Sequence, residues 1–214
     1  MIKACIFDLD GVIVDTAHYH FLAWQRLARE LGVNLTEKEN ERLKGVSRMQ
    51  SLQIILDLGK INLAKDRKES LADRKNEWFV EYIEAMKPGE IFPGVTQLIT
   101  SIKKKGIKVA LASSSKNAPR VIELLGIVKL FDAVVDGSMI VDTKPDPEIF
   151  MLTAQKLNVK PAACVVFEDA EAGVEAAVRA GMKCVGVGSP VILCKANVCV
   201  EKIGDFKIEQ LTSI

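Results

Sequence analysis

Asp8 and Asp10 stand one residue apart at the end of the apolar run Ala4-Cys5-Ile6-Phe7, and Gly11 follows at once. Side chains alternate along a strand, so the two carboxylates share one face at its end. Gly11 frees the backbone to turn sharply there or to approach a ligand closely. Two like charges held together out of water are costly unless a cation or a shared proton relieves them. A divalent metal supplies that relief and leaves one carboxylate as a nucleophile. An Asp-x-Asp pair is common at turns and weak by itself. The strand ahead, Gly11 behind and the second acidic pair Glu168-Asp169 downstream make this one a reaction centre.

The rest of the chain has to position that pair. After Lys87-Pro88-Gly89 the apolar pattern alternates between helical and strand rhythm. Helices are expected over 95–105, 117–125, 146–157 and 171–180, and strands over 107–112, 133–135, 164–167 and 184–187, with 3–9 as the first strand. Such alternation implies right-handed crossovers and a parallel, Rossmann-like α/β sheet covered on both faces. Residues 16–86 read differently. Phe21, Trp24, Leu27, Ala28 and Leu31 recur at spacings of three and four, Leu52, Ile55, Leu56 and Leu58 mark another helix, and Trp78, Phe79, Tyr82 and Ile83 a later one. No strand is expected there. The reading is a core domain of residues 1–15 and 88–214 interrupted by an α-helical cap domain, residues 16–87. Residues 190–214 are expected to add a final strand and a short helix.

Ligands of open parallel sheets bind outside the carboxyl ends of the strands. Those ends carry Asp8 and Asp10, then Ser113-Ser114-Ser115-Lys116-Asn117, then Lys144 before Pro145, then Glu168-Asp169 with Gly173 nearby. Carboxylates from two strands, a lysine and a hydroxyl converging at one edge form a magnesium-phosphate site. Asp8 attacks phosphorus to form an aspartyl-phosphate. Magnesium lies between Asp8, Asp169 and the backbone carbonyl of Asp10 and screens the nucleophile from the phosphate. Ser113 and Lys144 hold equatorial oxygens. Asp10 gives a proton to the leaving oxygen and later takes one from the incoming hydroxyl, so a neighbour must tune it. The hydroxyls at 113–117 suit both phosphate oxygens and the capping of the helix they open.

Asp8-Leu9-Asp10-Gly11-Val12, Ser113, Lys144 and Glu168-Asp169 resemble, in order and spacing, the four motifs of the haloacid dehalogenase superfamily of phosphotransferases. The insertion corresponds to that superfamily's helical cap. A nearer likeness extends over almost the whole chain. Thr16 through Trp24, Lys44-Gly45-Val46-Ser47-Arg48, Ala110-Leu111-Ala112-Ser113 and Ser115-Lys116-Asn117 resemble the β-phosphoglucomutase family. That family interconverts β-glucose 1-phosphate and glucose 6-phosphate through β-glucose 1,6-bisphosphate. The resemblance implies that Arg48, Ser115, Lys116 and Asn117 grip the phosphate not being transferred, and that Lys75 and the loop 44–48 lie over the sugar. It places Trp24, Ser51 and Ser114 among substrate contacts and Glu168 with Asp8, Asp10 and Asp169 in the metal set. It also implies that Thr16 and His20, one helical turn apart, couple cap closure to Asp10. Ser114 stands where that family is expected to carry alanine, and residues 190–214 carry little of its signal.

A mutase needs two phosphate grips, because either end of a bisphosphate is held while the other reacts. Arg48 and Lys116 therefore favour a mutase over a sugar-phosphate or phosphoglycolate phosphatase on the same scaffold. A sugar-phosphate sensor without turnover has no need of the nucleophile Asp8. His18 is expected at the surface, and Trp24, Trp78 and Phe79 in the core of the helical segment.

Composition excludes other classes. The chain has 214 residues, 27% of them charged, with a net charge of +1, so no strong field draws it to nucleic acid or an anionic membrane. No apolar stretch reaches the ~18 residues of a membrane-spanning helix, and the first residues read as a strand rather than a secretory leader. A cytoplasmic monomer acting on a small sugar phosphate is the expectation. The five cysteines form no C-x-x-C pair and read as reduced thiols.

Overall fold

All four residues of β1 (Ala4–Phe7) are apolar and all are buried, as a central strand covered on both faces requires. The computed structural model, which describes residues 1–43, 46–212 and 214, pairs β1 in parallel with β2 (Lys108–Ala112) on one side and β4 (Cys164–Glu168) on the other. Beyond β2 lies β3 (Ala133–Val135). Beyond β4 lie β5 (Lys183–Val187) and β6 (Val198–Val200), giving a six-stranded parallel sheet of order β3-β2-β1-β4-β5-β6. The chain winds outward from β1 in one direction and then, from β4, in the other. The reversal puts a topological switch point, where such sheets bind ligands, at the carboxyl ends of β1 and β4.

Alternation divides the strands between two cores. Ala4, Ile6, Ala110, Ala112, Cys164 and Val166 pack with Ile149, Phe150, Ala154 and Leu157 of α7 (Glu148–Leu157) and with Val174 and Ala177 of α8 (Glu171–Arg179). On the opposite face Phe7 stacks on Phe167 with ring centroids 4.5 Å apart, and Phe206 meets Phe167 edge-on at 5.1 Å. Each such pair adds about 0.5–1.5 kcal/mol beyond burial and fixes the register of β1 on β4. Helix α5 (Val95–Lys104) buries Val95, Leu98, Ile99 and Ile102, while α6 (Ala118–Leu124) follows β2. Cys5, Cys164 and Cys184 are buried, and all five cysteines are free thiols.

The chain separates into two compact units, Met1–Asp15 with Lys87–Ile214, and Thr16–Met86. In the second, α1 (Ala17–Glu30) lies against α4 (Lys65–Ile83), and α3 (Arg48–Leu58) packs on α4. A four-residue α2 (Glu37–Asn40), held by a capping box between Thr36 and Glu39, was not evident in the apolar periodicity. No strand lies within this unit among the described residues. Residues 190–214 hold β6, but the expected helix is two short 3₁₀ turns, Ile203–Asp205 and Ile208–Thr212. Runs of three and five residues are too short to recover the cost of nucleating an α-helix.

Candidate active site

The register Phe7↔Phe167 brings Asp8 to the neighbourhood of Glu168, and the backbone N–H of Asp8 donates to the Phe167 carbonyl at 3.0 Å. Lys144, only 2% exposed, reaches between the two side chains. Its Nζ donates to Asp8 Oδ1 at 2.5 Å and to Glu168 Oε1, and it lies 5.1 Å over the Phe150 ring. Burial acts to lower the Lys144 pKa, but the Asp8 and Glu168 carboxylates outweigh it and hold the ammonium above its ordinary value. Glu168 Oε2 accepts the backbone N–H of Ala170 at 3.0 Å, so both of its oxygens have protein donors. Burial raises its pKa even so, against the pull of Lys144.

Two glycines make this packing possible. Gly11 has φ +75° after the strand, and a Cβ there would collide with the Asp169 carboxylate. A Cβ on Gly173 would collide with the carboxylate of Glu168. Asp169 therefore lies directly on the turn that follows Asp10, where Gly11 N–H donates to Val14 O at 2.9 Å. Burial first, and then the charges of Glu168, Asp8 and Asp10, push the Asp169 pKa well above the usual carboxylate range. A hard divalent cation relieves that kind of crowding, and an all-oxygen donor set suits one better than a softer metal. The residues at this edge fit such an ion. With Glu168 engaged by Lys144 and Ala170, the oxygens suited to hold it are those of Asp8, Asp10 and Asp169.

Ser113, at the end of β2, is buried, and its Oγ accepts the Ser115 backbone N–H at 3.1 Å. That leaves its hydroxyl proton for an incoming acceptor. Ser114 Oγ is buried and has no hydrogen-bond partner among the described residues. Ser115 Oγ accepts the Asn117 N–H at 3.2 Å, while Asn117 takes the N-cap of α6 without a side-chain capping bond. The Ser115 hydroxyl thus closes the turn that leads into α6. Lys116 is exposed. The loop that delivers Lys144 is fastened by acidic residues that the sequence reading passed over. Glu148 Oε2 accepts the N–H groups of Val141 (2.9 Å) and Asp142 (2.6 Å), and Asp146 Oδ1 accepts that of Glu148 (2.9 Å). Asp142, Asp146 and Glu148 bring one oxygen each within 4.8 Å of one another, a grouping those loop-closing bonds account for.

The helical unit has a polar cluster of its own. Lys75, 2% exposed, meets His20 Nδ1 at 2.7 Å and lies 4.6 Å over Trp24 and 4.9 Å over Phe79. The His20 ring stacks on Phe79 with centroids 3.8 Å apart. Burial, then the charges of Lys75 and Arg48, hold the His20 pKa well below its ordinary value, so the imidazole stays neutral. A neutral ring receiving the ammonium at Nδ1 carries its proton on Nε2. Thr16 is buried, and its carbonyl accepts the His20 N–H at 3.0 Å. Ser47 caps α3 in a reciprocal box with Gln50, and Ser51 Oγ donates to the Leu43 carbonyl at 3.4 Å. Arg48 is the first residue of α3 rather than part of a loop, and its Nη1 lies 3.3 Å from Asp73 Oδ1. Val46 is half-buried and His18 exposed, while Lys44 and Gly45 lie outside the described residues.

Comparison with known proteins decides the lineage. A family model described as haloacid dehalogenase-like hydrolase matches residues 2–181. The chain belongs to the haloacid dehalogenase-like hydrolase family. Within that family it is 43% identical to a β-phosphoglucomutase of Bacillus subtilis, over 98% of this chain and 93% of that protein. It is 38% identical to a phosphorylated carbohydrates phosphatase of Thermotoga maritima, over 85% of this chain and 82% of that protein. The crystal structure of a β-phosphoglucomutase from Clostridium difficile superposes with a TM-score of 0.96 at 43% identity, covering all of this chain and 96% of that one.

Sequence reasoning about this family member brought Asp8, Ser113, Lys144, Glu168 and Asp169 to one sheet edge, together with Asp10. It missed two partners. The Phe79 ring that shelters His20 looked like ordinary core, and its spacing on α4 gave no other signal. Asp73, on the same helix, is one of many charges on an exposed face and carried no signal at all.

Proposed function

We propose that this protein is a magnesium-dependent mutase that interconverts β-glucose 1-phosphate and glucose 6-phosphate through β-glucose 1,6-bisphosphate. One observation carries the reading beyond generic phosphotransfer. The acidic, lysine-braced edge around Asp8 suits the reacting phosphate, and the Arg48 guanidinium of the helical unit, held by one exposed carboxylate, suits a second one. The likeness to β-phosphoglucomutases over nearly the full chain supports the same choice.

In this mechanism one oxygen of the Asp8 carboxylate forms a bond to phosphorus as the bond from phosphorus to the sugar oxygen breaks. Asp10 gives its proton to that leaving oxygen, and takes one back from the sugar hydroxyl that later attacks the aspartyl-phosphate. Lys144 fixes the orientation of Asp8 and, with the Ser113 hydroxyl, faces the charge that shifts onto the equatorial oxygens. Glu168 orients Lys144. Asp8, Asp10 and Asp169 would hold magnesium, whose charge would screen the repulsion between nucleophile and phosphate. Arg48, with Ser115, Lys116 and Asn117, holds the phosphate that does not react, and a guanidinium pairs with it bidentately as an ammonium cannot. Thr16 and His20 link the helical unit to Asp10 during turnover. Ser114 adds a hydroxyl beside the reacting phosphate, and Trp24, Lys44, Gly45, Val46, Ser47 and Ser51 complete the set that shapes the substrate position. On this reading the protein works as a cytoplasmic monomer on a small sugar phosphate.

The test is a product analysis. Purified protein is incubated with magnesium, β-glucose 1-phosphate and a trace of the bisphosphate. Glucose 6-phosphate should accumulate with little free phosphate. Stoichiometric free phosphate would instead assign a phosphatase, the activity named for the Thermotoga relative.

A further inference from the structure

Arg48 opens α3 at a position where a cation is unfavourable. A helix N-terminus carries the positive end of the macrodipole, and the first turn of α3 contains no acidic residue to offset it. A residue kept for helix stability would have the opposite charge. The anion comes from elsewhere in the chain: Asp73 of α4 places Oδ1 3.3 Å from Arg48 Nη1. The Arg48 side chain is 28% exposed and that of Asp73 is 74% exposed, so the carboxylate covers a guanidinium set back in the helical unit from its solvent side. The contact is also loose. Charge-assisted N–H···O bonds close to about 2.7–2.9 Å and arginine prefers to grip with two nitrogens, whereas this is a single contact at 3.3 Å. The charges of Arg48 and of Lys75, two residues along α4 from Asp73, both act on His20 and help to keep it neutral.

We propose that Asp73 is a resident stand-in for phosphate. Its carboxylate occupies the Arg48 guanidinium in the unliganded protein and gives way when a phosphate dianion of the sugar substrate takes the same nitrogens. This rests on the assignment of Arg48 to the non-reacting phosphate made above. Asp73 is then a residue that sets substrate affinity from outside the catalytic groups. It balances the Arg48 charge while the site is empty, and it weakens binding because it must be displaced. A dianion offering three oxygens outcompetes a solvent-exposed, singly bonded carboxylate, so the exchange runs toward substrate. The bisphosphate is released more readily than an unopposed arginine would allow, and a mutase whose intermediate must leave and return in the reverse orientation gains from that.

The experiment uses the full chain with magnesium. Asp73→Asn, Arg48→Ala and the double variant are compared with the parent for KM and kcat on β-glucose 1-phosphate. The dissociation constant of glucose 6-phosphate is read by calorimetry, which does not depend on turnover. Asp73→Asn should lower KM and the dissociation constant by about 3- to 10-fold, the scale of one exposed ion pair and its field, with a smaller change in kcat. In the Arg48→Ala background the same substitution should have no effect. Three results overturn the proposal: affinity unchanged or weakened in Asp73→Asn, an equal gain with and without Arg48, or a shifted unfolding midpoint with KM untouched. If Arg48→Ala by itself leaves both constants unchanged, the assignment of Arg48 fails, and the failure then lies in that premise rather than in Asp73.

Discussion

Lys144 and Lys75 are each only 2% exposed, and the protein holds them by different means. In the sheet unit Lys144 lies between the carboxylates of Asp8 and Glu168. In the helical unit Lys75 lies over the rings of Trp24 and Phe79 and against the imidazole of His20. The first arrangement sets charge against charge: it anchors Asp8, the proposed nucleophile, and leaves Asp169 pressed by its acidic neighbours. The second shelters a cation with quadrupoles and forces the neighbouring histidine to stay neutral. A buried lysine is thus a strut for a carboxylate in one unit and a ring-sheltered cation in the other.

The sharpest way to break the comparison is at the nucleophile. Asp8→Asn keeps the shape and the strand register but removes the charge that Lys144 faces and the electron pair that attacks phosphorus. Turnover should fall to background, checked by following glucose 6-phosphate from β-glucose 1-phosphate. Appreciable residual turnover would exclude an aspartyl-phosphate.

Next in size is a stability difference between the lysines. Lys144→Met removes one partner of a buried charge cluster and strands Asp8 and Glu168, a change that costs about 3–5 kcal/mol. Lys75→Met keeps the aliphatic stem against Trp24 and Phe79 and loses the cation–π attraction and the hydrogen bond to His20, together about 2–3 kcal/mol. Denaturant unfolding of both variants without metal measures the gap. Equal losses would mean that the carboxylates around Lys144 simply protonate and that the ion pairs are not what holds it.

The two regions also differ in how far their chemistry could be read from residues alone. Asp8, Ser113 and Glu168 fall at the ends of short apolar runs, so strand periodicity and the rule that ligands sit at strand ends locate them without coordinates. Lys144 is reached by order and spacing, but nothing local foretells its burial. The loop that carries it is closed by Glu148 onto the N–H groups of Val141 and Asp142, bonds of tertiary geometry. Helices hide their chemistry better. On α4 the residues Asp73, Lys75 and Phe79 sit in a segment dense with charge, and only the packing of α1 and α3 against it shows which of them face inward. Arg48 was expected in a loop because Gly45 precedes it, yet the capping box of Ser47 and Gln50 starts the helix earlier. Sheet topology concentrates function at a few predictable positions, whereas a helical unit spreads it over faces that pairing alone defines.

The smallest predicted effect probes the neutral histidine. An unfolded chain presents His20 with its ordinary pKa of 6.5, while the folded unit holds it well below that. Above pH 6.5 neither state is protonated and His20 contributes no pH dependence. Below it the unfolded state binds a proton that the folded state refuses, so stability must fall as pH falls, until the depressed folded value is reached. The slope is at most about 1.4 kcal/mol per pH unit, and the partial exposure of the ring reduces it. His20→Gln has no titrating group and should lack this component. Unfolding curves of the two proteins between pH 7 and pH 5 should therefore diverge steadily, by up to about 2 kcal/mol at the acid end. Parallel curves would mean that the imidazole accepts a proton beside Lys75 as easily as in water. The stacked, uncharged ring drawn from the Phe79 and Lys75 contacts would then be wrong, and with it the contrast between the two buried lysines.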